Sequence, residues 1–105
     1  MATIRINYYK PPQFKVGTSV LDITGEFISS EKLTVSGSSV STSSDIPEGT
    51  GIIKVHGDSD FVIQIAETPT AVDDSTCESH PATIPLFKEF NPLSLNNYKI
   101  AVLDV

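Results

Sequence analysis

Two short stretches of the sequence hold residue types that could do chemistry. In Cys77-Glu-Ser-His80 a thiol and an imidazole stand three residues apart, the spacing of a nucleophile beside a base or of two ligands to one metal ion. A closed structural zinc site needs four ligands, and only Asp73, Asp74 and Glu78 are near enough in sequence to complete it. In His56-Gly-Asp58-Ser-Asp60 the carboxylates have the hard oxygen character that calcium prefers, but the set is again incomplete. Both stretches therefore read as polar surface, the first a loop with an incidental cysteine and the second a turn with solvated carboxylates. Gly-rich phosphate loops, a Gly-x-Ser-x-Gly elbow and His-Glu-x-x-His are absent from the sequence. The expectation is a protein that is not an enzyme, with no catalytic residue, no cofactor and no metal. Tyr8, Tyr9, Phe14 and Tyr98 could form an aromatic platform for sugars or bases, but in so short a chain they are expected to cover a core or a subunit interface.

The elements that would carry these residues are strands. Ala2 to Tyr9 alternates Ile4, Ile6 and Tyr8 with Thr3, Arg5 and Asn7, the period of a half-buried strand, and stops at Pro11-Pro12. Further extended regions are predicted at about 18–28, with a bend at Gly25, and at 32–35. Residues 36–44 contain six serines in nine positions and read as a Ser-rich loop or an edge strand. Pro47 and Gly49 make Ile46-Pro-Glu-Gly-Thr50 a turn into a strand from Gly51 to His56. Gly57 to Asp60 reverse the chain, and Phe61 to Ala66 return with Phe61, Ile63 and Ile65 on one face. The expectation is that these two strands form a hairpin near the middle of a sheet. After Thr68-Pro-Thr-Ala71, residues 72–81 form a polar, acidic loop. A strand follows at 83–90, where Pro85 points to an edge or a bulge, and the last strand places Tyr98, Ile100 and Val102 on one face. About seven short antiparallel strands without a helix predict an all-β fold, a single compact β-sandwich, jelly-roll-like or Ig-like, spanning residues 1–105 with an extended amino-terminal segment.

Composition agrees with that fold class. Thirteen Ser and ten Thr supply much of the polarity of the 105 residues, and only 19% of the chain is charged. The net charge is −6, and residues 57–105 carry all of the excess, with eight acids against Lys88 and Lys99. That balance disfavours duplex DNA and anionic membranes as partners. The single cysteine excludes an intrachain disulfide, no apolar run approaches a membrane span of roughly 20 residues, and no charged-then-apolar leader opens the chain. Folding in a cytoplasm is the expectation.

The ordered set Ile46-Pro-x-Gly-Thr, then an apolar strand, then Asp58-x-Asp-Phe-Val-Ile-Gln-Ile, then Thr68-Pro-Thr-Ala resembles a family of small tailed-phage virion proteins. The resemblance continues through Ile84-Pro-x-Phe and ends in Lys99-Ile-Ala-Val-Leu, covering roughly residues 41–105. This sequence departs from the family's pattern in having Glu67 where a Gly follows the hairpin, and a more acidic 72–81 loop with Cys77 and His80. The family is a set of compact β-sandwich structural proteins of phage particles. The resemblance implies a capsid decoration or cement protein, made in the host cytoplasm and carried on the outside of the head, whose partner is the major capsid protein. It implies a homo-oligomer, a trimer or dimer at a capsid symmetry position. A tail, neck or fibre-associated adaptor and a carbohydrate-binding sandwich are the alternatives.

Residues 1–16 lie outside the resemblance, carry Arg5, Lys10 and Lys15 and no acid, and are held extended by Pro11-Pro12. They are the expected attachment arm, able to add a strand to a partner's sheet. Arg5, Tyr8, Tyr9, Lys10, Pro11, Pro12, Phe14 and Lys15 are the expected contacts with capsid or a neighbouring copy.

Overall fold

A computed structural model of the chain describes residues 2–11, 26–74, 77–90 and 97–105. The fold is all-β, with eight strands among the described residues: β1 (Ala2–Tyr9), β2 (Phe27–Val35), β3 (Val40–Ser41), β4 (Ile52–Gly57), β5 (Phe61–Ala66), β6 (Glu78–His80), β7 (Leu86–Glu89) and β8 (Lys99–Asp104). They form two antiparallel four-stranded sheets, a front sheet in the order β2-β1-β4-β7 and a back sheet in the order β3-β8-β5-β6. Counting β1 as the last strand instead of the first, the chain follows the path of an eight-stranded jelly roll.

The sheets bury their facing sides against each other. Ile4, Ile6 and Tyr8 of β1, Leu33 and Val35 of β2 and Ile53 and Val55 of β4 meet Phe61 and Ile63 of β5 and Ile100 and Val102 of β8 in one core. Ile65 packs against it, half-buried. The period-two reading of these strands is thus correct; at the start of β4 both Ile52 and Ile53 are buried, with Ile53 in this core.

Three expectations need correction. The segment Ala2–Tyr9 is not an arm: β1 is an interior strand, paired along its length with β2 and along Ile4 to Tyr9 with β4. Its alternate apolar residues are the reason, because a strand with Ile4, Ile6 and Tyr8 on one side is more stable in the sandwich than extended in water. Second, the strands on either side of Gly57–Asp60 do not pair with each other; β4 and β5 lie in opposite sheets. Both present apolar residues inward, so they bury more by facing each other across the core than by lying edge to edge. The reversal is fixed out of the sheet plane by two carboxylates: Asp58 Oδ1 accepts the Thr3 N–H at 2.9 Å, and Asp60 Oδ1 accepts the Ala82 N–H at 2.8 Å. A Cβ at Gly57 would stand 2.6 Å from Ile4 Cδ1 and 3.0 Å from Phe61 Cδ1, so a larger residue there would require the buried Ile4 side chain to shift. Third, the predicted 72–81 loop contains β6, and the strand expected from Thr83 starts only at Leu86, after a turn in which Thr83 has φ of 64°.

Other expectations hold. β3, in the Ser-rich stretch, is an edge strand of the back sheet, and β7, after Pro85, is an edge strand of the front sheet. Gly49 has φ of 85°, and the Thr50 hydroxyl donates to the Pro47 carbonyl at 2.7 Å, closing the predicted 46–50 turn. The regions expected at 18–28 and 32–35 contribute a single strand, β2; residues 18–25 lie outside the described residues.

Candidate functional site

The two stretches that could do chemistry are used structurally. Residues three apart on an extended backbone point to opposite sides of the sheet, and Cys77 and His80 do so. Cys77 packs with Val62, Ala71 and Ala101 on the outer side of the back sheet, and its Sγ accepts the Val72 N–H at 3.4 Å. His80 pairs with Phe61, lies with its ring 5.6 Å from the Phe61 ring, and donates from Nε2 to the Ile84 carbonyl at 2.7 Å. The imidazole fastens the 81–84 turn to the core edge. Asp58 and Asp60 each spend an oxygen on a different backbone amide, as described above. Among the described residues, no three His, Cys, Asp or Glu side chains come together as metal ligands.

The expected contact residues of the amino-terminal segment separate in the same way. Tyr8 is 4% exposed and belongs to the core. Burial, with the Glu31 carboxylate adding to it, pushes its phenol up to about 12 despite a hydrogen bond with the Thr42 side chain. Tyr9, half-buried on the other side of β1, meets Phe27 edge-on with ring centroids 5.8 Å apart. Lys10 pairs with Glu26 at 3.2 Å, and Pro11 is exposed beside Gly51, whose Cβ position would lie 2.6 Å from Pro11 Cα. Pro12, Phe14 and Lys15 lie outside the described residues. Of those that are described, Arg5 alone is a charged side chain on the face of the front sheet turned away from the core.

That face is the candidate site. Strand register places Arg5 of β1 directly between Lys32 of β2 and His56 of β4. The next row in the direction of Tyr9 holds Ser30, Asn7, Lys54 and Phe87, one from each strand of the sheet. Lys54 Nζ lies 5.9 Å from the centroid of the Phe87 ring, which is 43% exposed. Thr3, Arg5, Asn7, Lys54, His56 and Asp58 line a depression of about 510 Å³.

The electrostatics of this face differ from those of the rest of the chain. Lys10, Lys88 and Lys99 form ion pairs with Glu26, Glu78 and Asp45. Arg5, Lys32 and Lys54 form none with any described carboxylate. Like charges directly opposite on neighbouring strands are destabilising, yet Lys32 and Arg5 are paired in a protein with 13 acids and 7 bases. Ion pairing among the described residues therefore does not account for these three cations.

Sequence reasoning found Arg5, and singled out His56 and Asp58 only as part of a polar turn; it did not find Lys32, Lys54 or Phe87. Their parity was readable, since Lys32 precedes core Leu33 and Lys54 precedes core Val55. Their convergence on Arg5 depended on a pairing order that parity does not reveal. Compared with known proteins, the chain matches no family model, no curated protein and no solved structure.

Proposed function

We propose that this protein is a non-catalytic virion structural protein, a capsid decoration or cement protein that lies against the outer surface of a tailed-phage head through the open face of its front sheet. The observation that carries this reading is the group of three cations, Arg5, Lys32 and Lys54, without carboxylate partners among the described residues, on one sheet face of a net acidic protein. Such a face suits docking onto an acidic protein surface, where charge complementarity sets orientation and association rate. The likeness of residues 41–105 to small phage virion proteins supplies the choice of partner, the major capsid protein.

Mechanically, each copy would bridge adjacent shell subunits with a modest interface, and repetition over the shell would make the total large. Separating two capsomers would then require peeling the front sheet from its support. A trimer or dimer at a capsid symmetry axis multiplies the contacts of each bound unit.

The test is binding to undecorated heads by the full chain and by the triple variant Arg5→Glu, Lys32→Glu, Lys54→Glu. Three reversals at roughly 1 kcal/mol each predict binding on the order of a hundredfold weaker. Equal binding would move the contact surface off this face. Localisation of the protein by electron microscopy to the tail, neck or fibre would replace the decoration role by that of an adaptor.

A further inference from the structure

The depression on the front sheet is not uniformly cationic. Strand register orders its lining in three rows: Asn7 and Lys54 at one end, Arg5 and His56 in the middle, and Thr3 with the Asp58 carboxylate at the other end. The Asp58 side chain is held in place by the bond from the Thr3 N–H to Oδ1 at 2.9 Å, and its other oxygen has no partner among the described residues. Asn7, opposite Lys54 and two residues from Arg5 on β1, offers both an amide donor and an amide acceptor. We propose that this depression is a subsite for an acidic peptide segment, one that places a carboxylate on Arg5 and Lys54 and a neighbouring hydroxyl or N–H donor on Asp58. The proposal deepens the docking reading above and rests on the same face, but it concerns the isolated protein and needs no capsid.

Two features favour a peptide over other anions. Neither is the planar fork of Arg5, which takes a carboxylate or a phosphate bidentately, with the Lys54 ammonium, near the Phe87 ring, as a point charge beside it. A fixed carboxylate at the far end repels any ligand that is anionic along its whole length, such as a nucleic acid or a sulfated polysaccharide. It favours a ligand that alternates acceptor and donor, as a peptide of acidic and hydroxyl residues does. The charge of the chain as a whole, net −6, opposes a long polyanion again at a distance. The volume, about 510 Å³, lies within the roughly 300–1,000 Å³ of small-ligand sites.

The experiment is a titration of the isotope-labelled full chain, followed by NMR, with three probes: a blocked hexapeptide of alternating Glu and Ser, inorganic phosphate, and a heparin hexasaccharide. The expected result is saturable shifts at the Asn7, Lys54 and His56 amides with the peptide, and weaker binding of the other two. Arg5→Gln and Lys54→Gln should each weaken the peptide by about tenfold while melting at the temperature of the unaltered protein. Absence of saturable shifts, tighter binding of phosphate or heparin than of peptide, or unaltered affinity in both variants would overturn the proposal. Peptide binding without head binding would leave the subsite and remove the decoration reading. Head binding that needs the face, without peptide binding, would do the reverse.

Discussion

The two sheets of this sandwich share one core and treat their outer sides differently. In the front sheet β1 alternates buried Ala2, Ile4, Ile6 and Tyr8 with more exposed Thr3, Arg5, Asn7 and Tyr9, and β2 and β4 carry Lys32, Thr34, Lys54 and His56 outward. In the back sheet, consecutive residues of the central strands are buried: Phe61, Val62 and Ile63 in β5, and Ile100, Ala101 and Val102 in β8. The difference comes from the segment after β5. Ala71 and Cys77 pack onto Val62, Ala101 and Leu103, and the Ala71 N–H donates to Ser39 Oγ at 2.9 Å, so this segment lies over the back sheet as a cover. A strand buried on both faces has no room for a ligand on its outer side, whereas a strand that alternates can offer a surface. The back sheet is therefore the support, and the front sheet is where a partner can be recognised.

The largest expected effect breaks the front sheet altogether. Deleting residues 2–9 removes the strand that joins β2 to β4 and four inward side chains, and the truncated chain should lose its cooperative melting transition. A β-type circular dichroism spectrum with a sharp melt would show that the front sheet closes without β1, and the amino-terminal segment would again be a candidate arm.

A matched pair of charge insertions sharpens the contrast between the outer sides. Val62→Asp places an unpaired carboxylate under the covering segment and should cost about 3–5 kcal/mol, while Thr34→Asp, exposed on the front sheet beside the Lys32 row, should fall within about 0.5 kcal/mol of the unaltered protein. Denaturant melts of the two variants measure this directly. Similar losses at both positions would mean that the front face is covered as well.

The smallest effect concerns the one titratable group placed in the shared core. The Tyr8 phenol, raised to about 12 by burial, takes up its proton more tightly in the folded chain than in the unfolded chain, where tyrosine titrates near 10. Its contribution is fully present below about pH 10 and is lost as the pH rises through 12, a decline on the order of 2–3 kcal/mol. Tyr8→Phe should lose about 1 kcal/mol at neutral pH with the Thr42 hydrogen bond and then show a shallower decline above pH 10. Parallel alkaline profiles for the two proteins would place the phenol in water.

Much of the fold was legible in the sequence, because a strand with one wet side writes its facing into every second residue. Ile4, Ile6 and Tyr8, or Phe61, Ile63 and Ile65, could be assigned inward from spacing alone, and Pro47 with Gly49 marked a turn because their backbone preferences are local. The sequence also determined the charge balance, the absence of an intrachain disulfide and the incomplete ligand set around Cys77 and His80, whereas their separation to opposite sides of the back sheet followed only from β6. Tertiary structure decided what depends on which strands become neighbours. Two apolar strands joined by Gly57–Asp60 are compatible with a hairpin or with a crossing between sheets; the clamps from Asp58 to Thr3 and from Asp60 to Ala82, 55 and 22 residues away, select the crossing. The same holds for the candidate site. Arg5, Lys32 and His56 are isolated polar positions in three separate strands, and only the pairing of β1 with β2 and β4 makes them one row. Facing is set by each residue's immediate neighbours, whereas register between distant strands is set by the whole core closing at once.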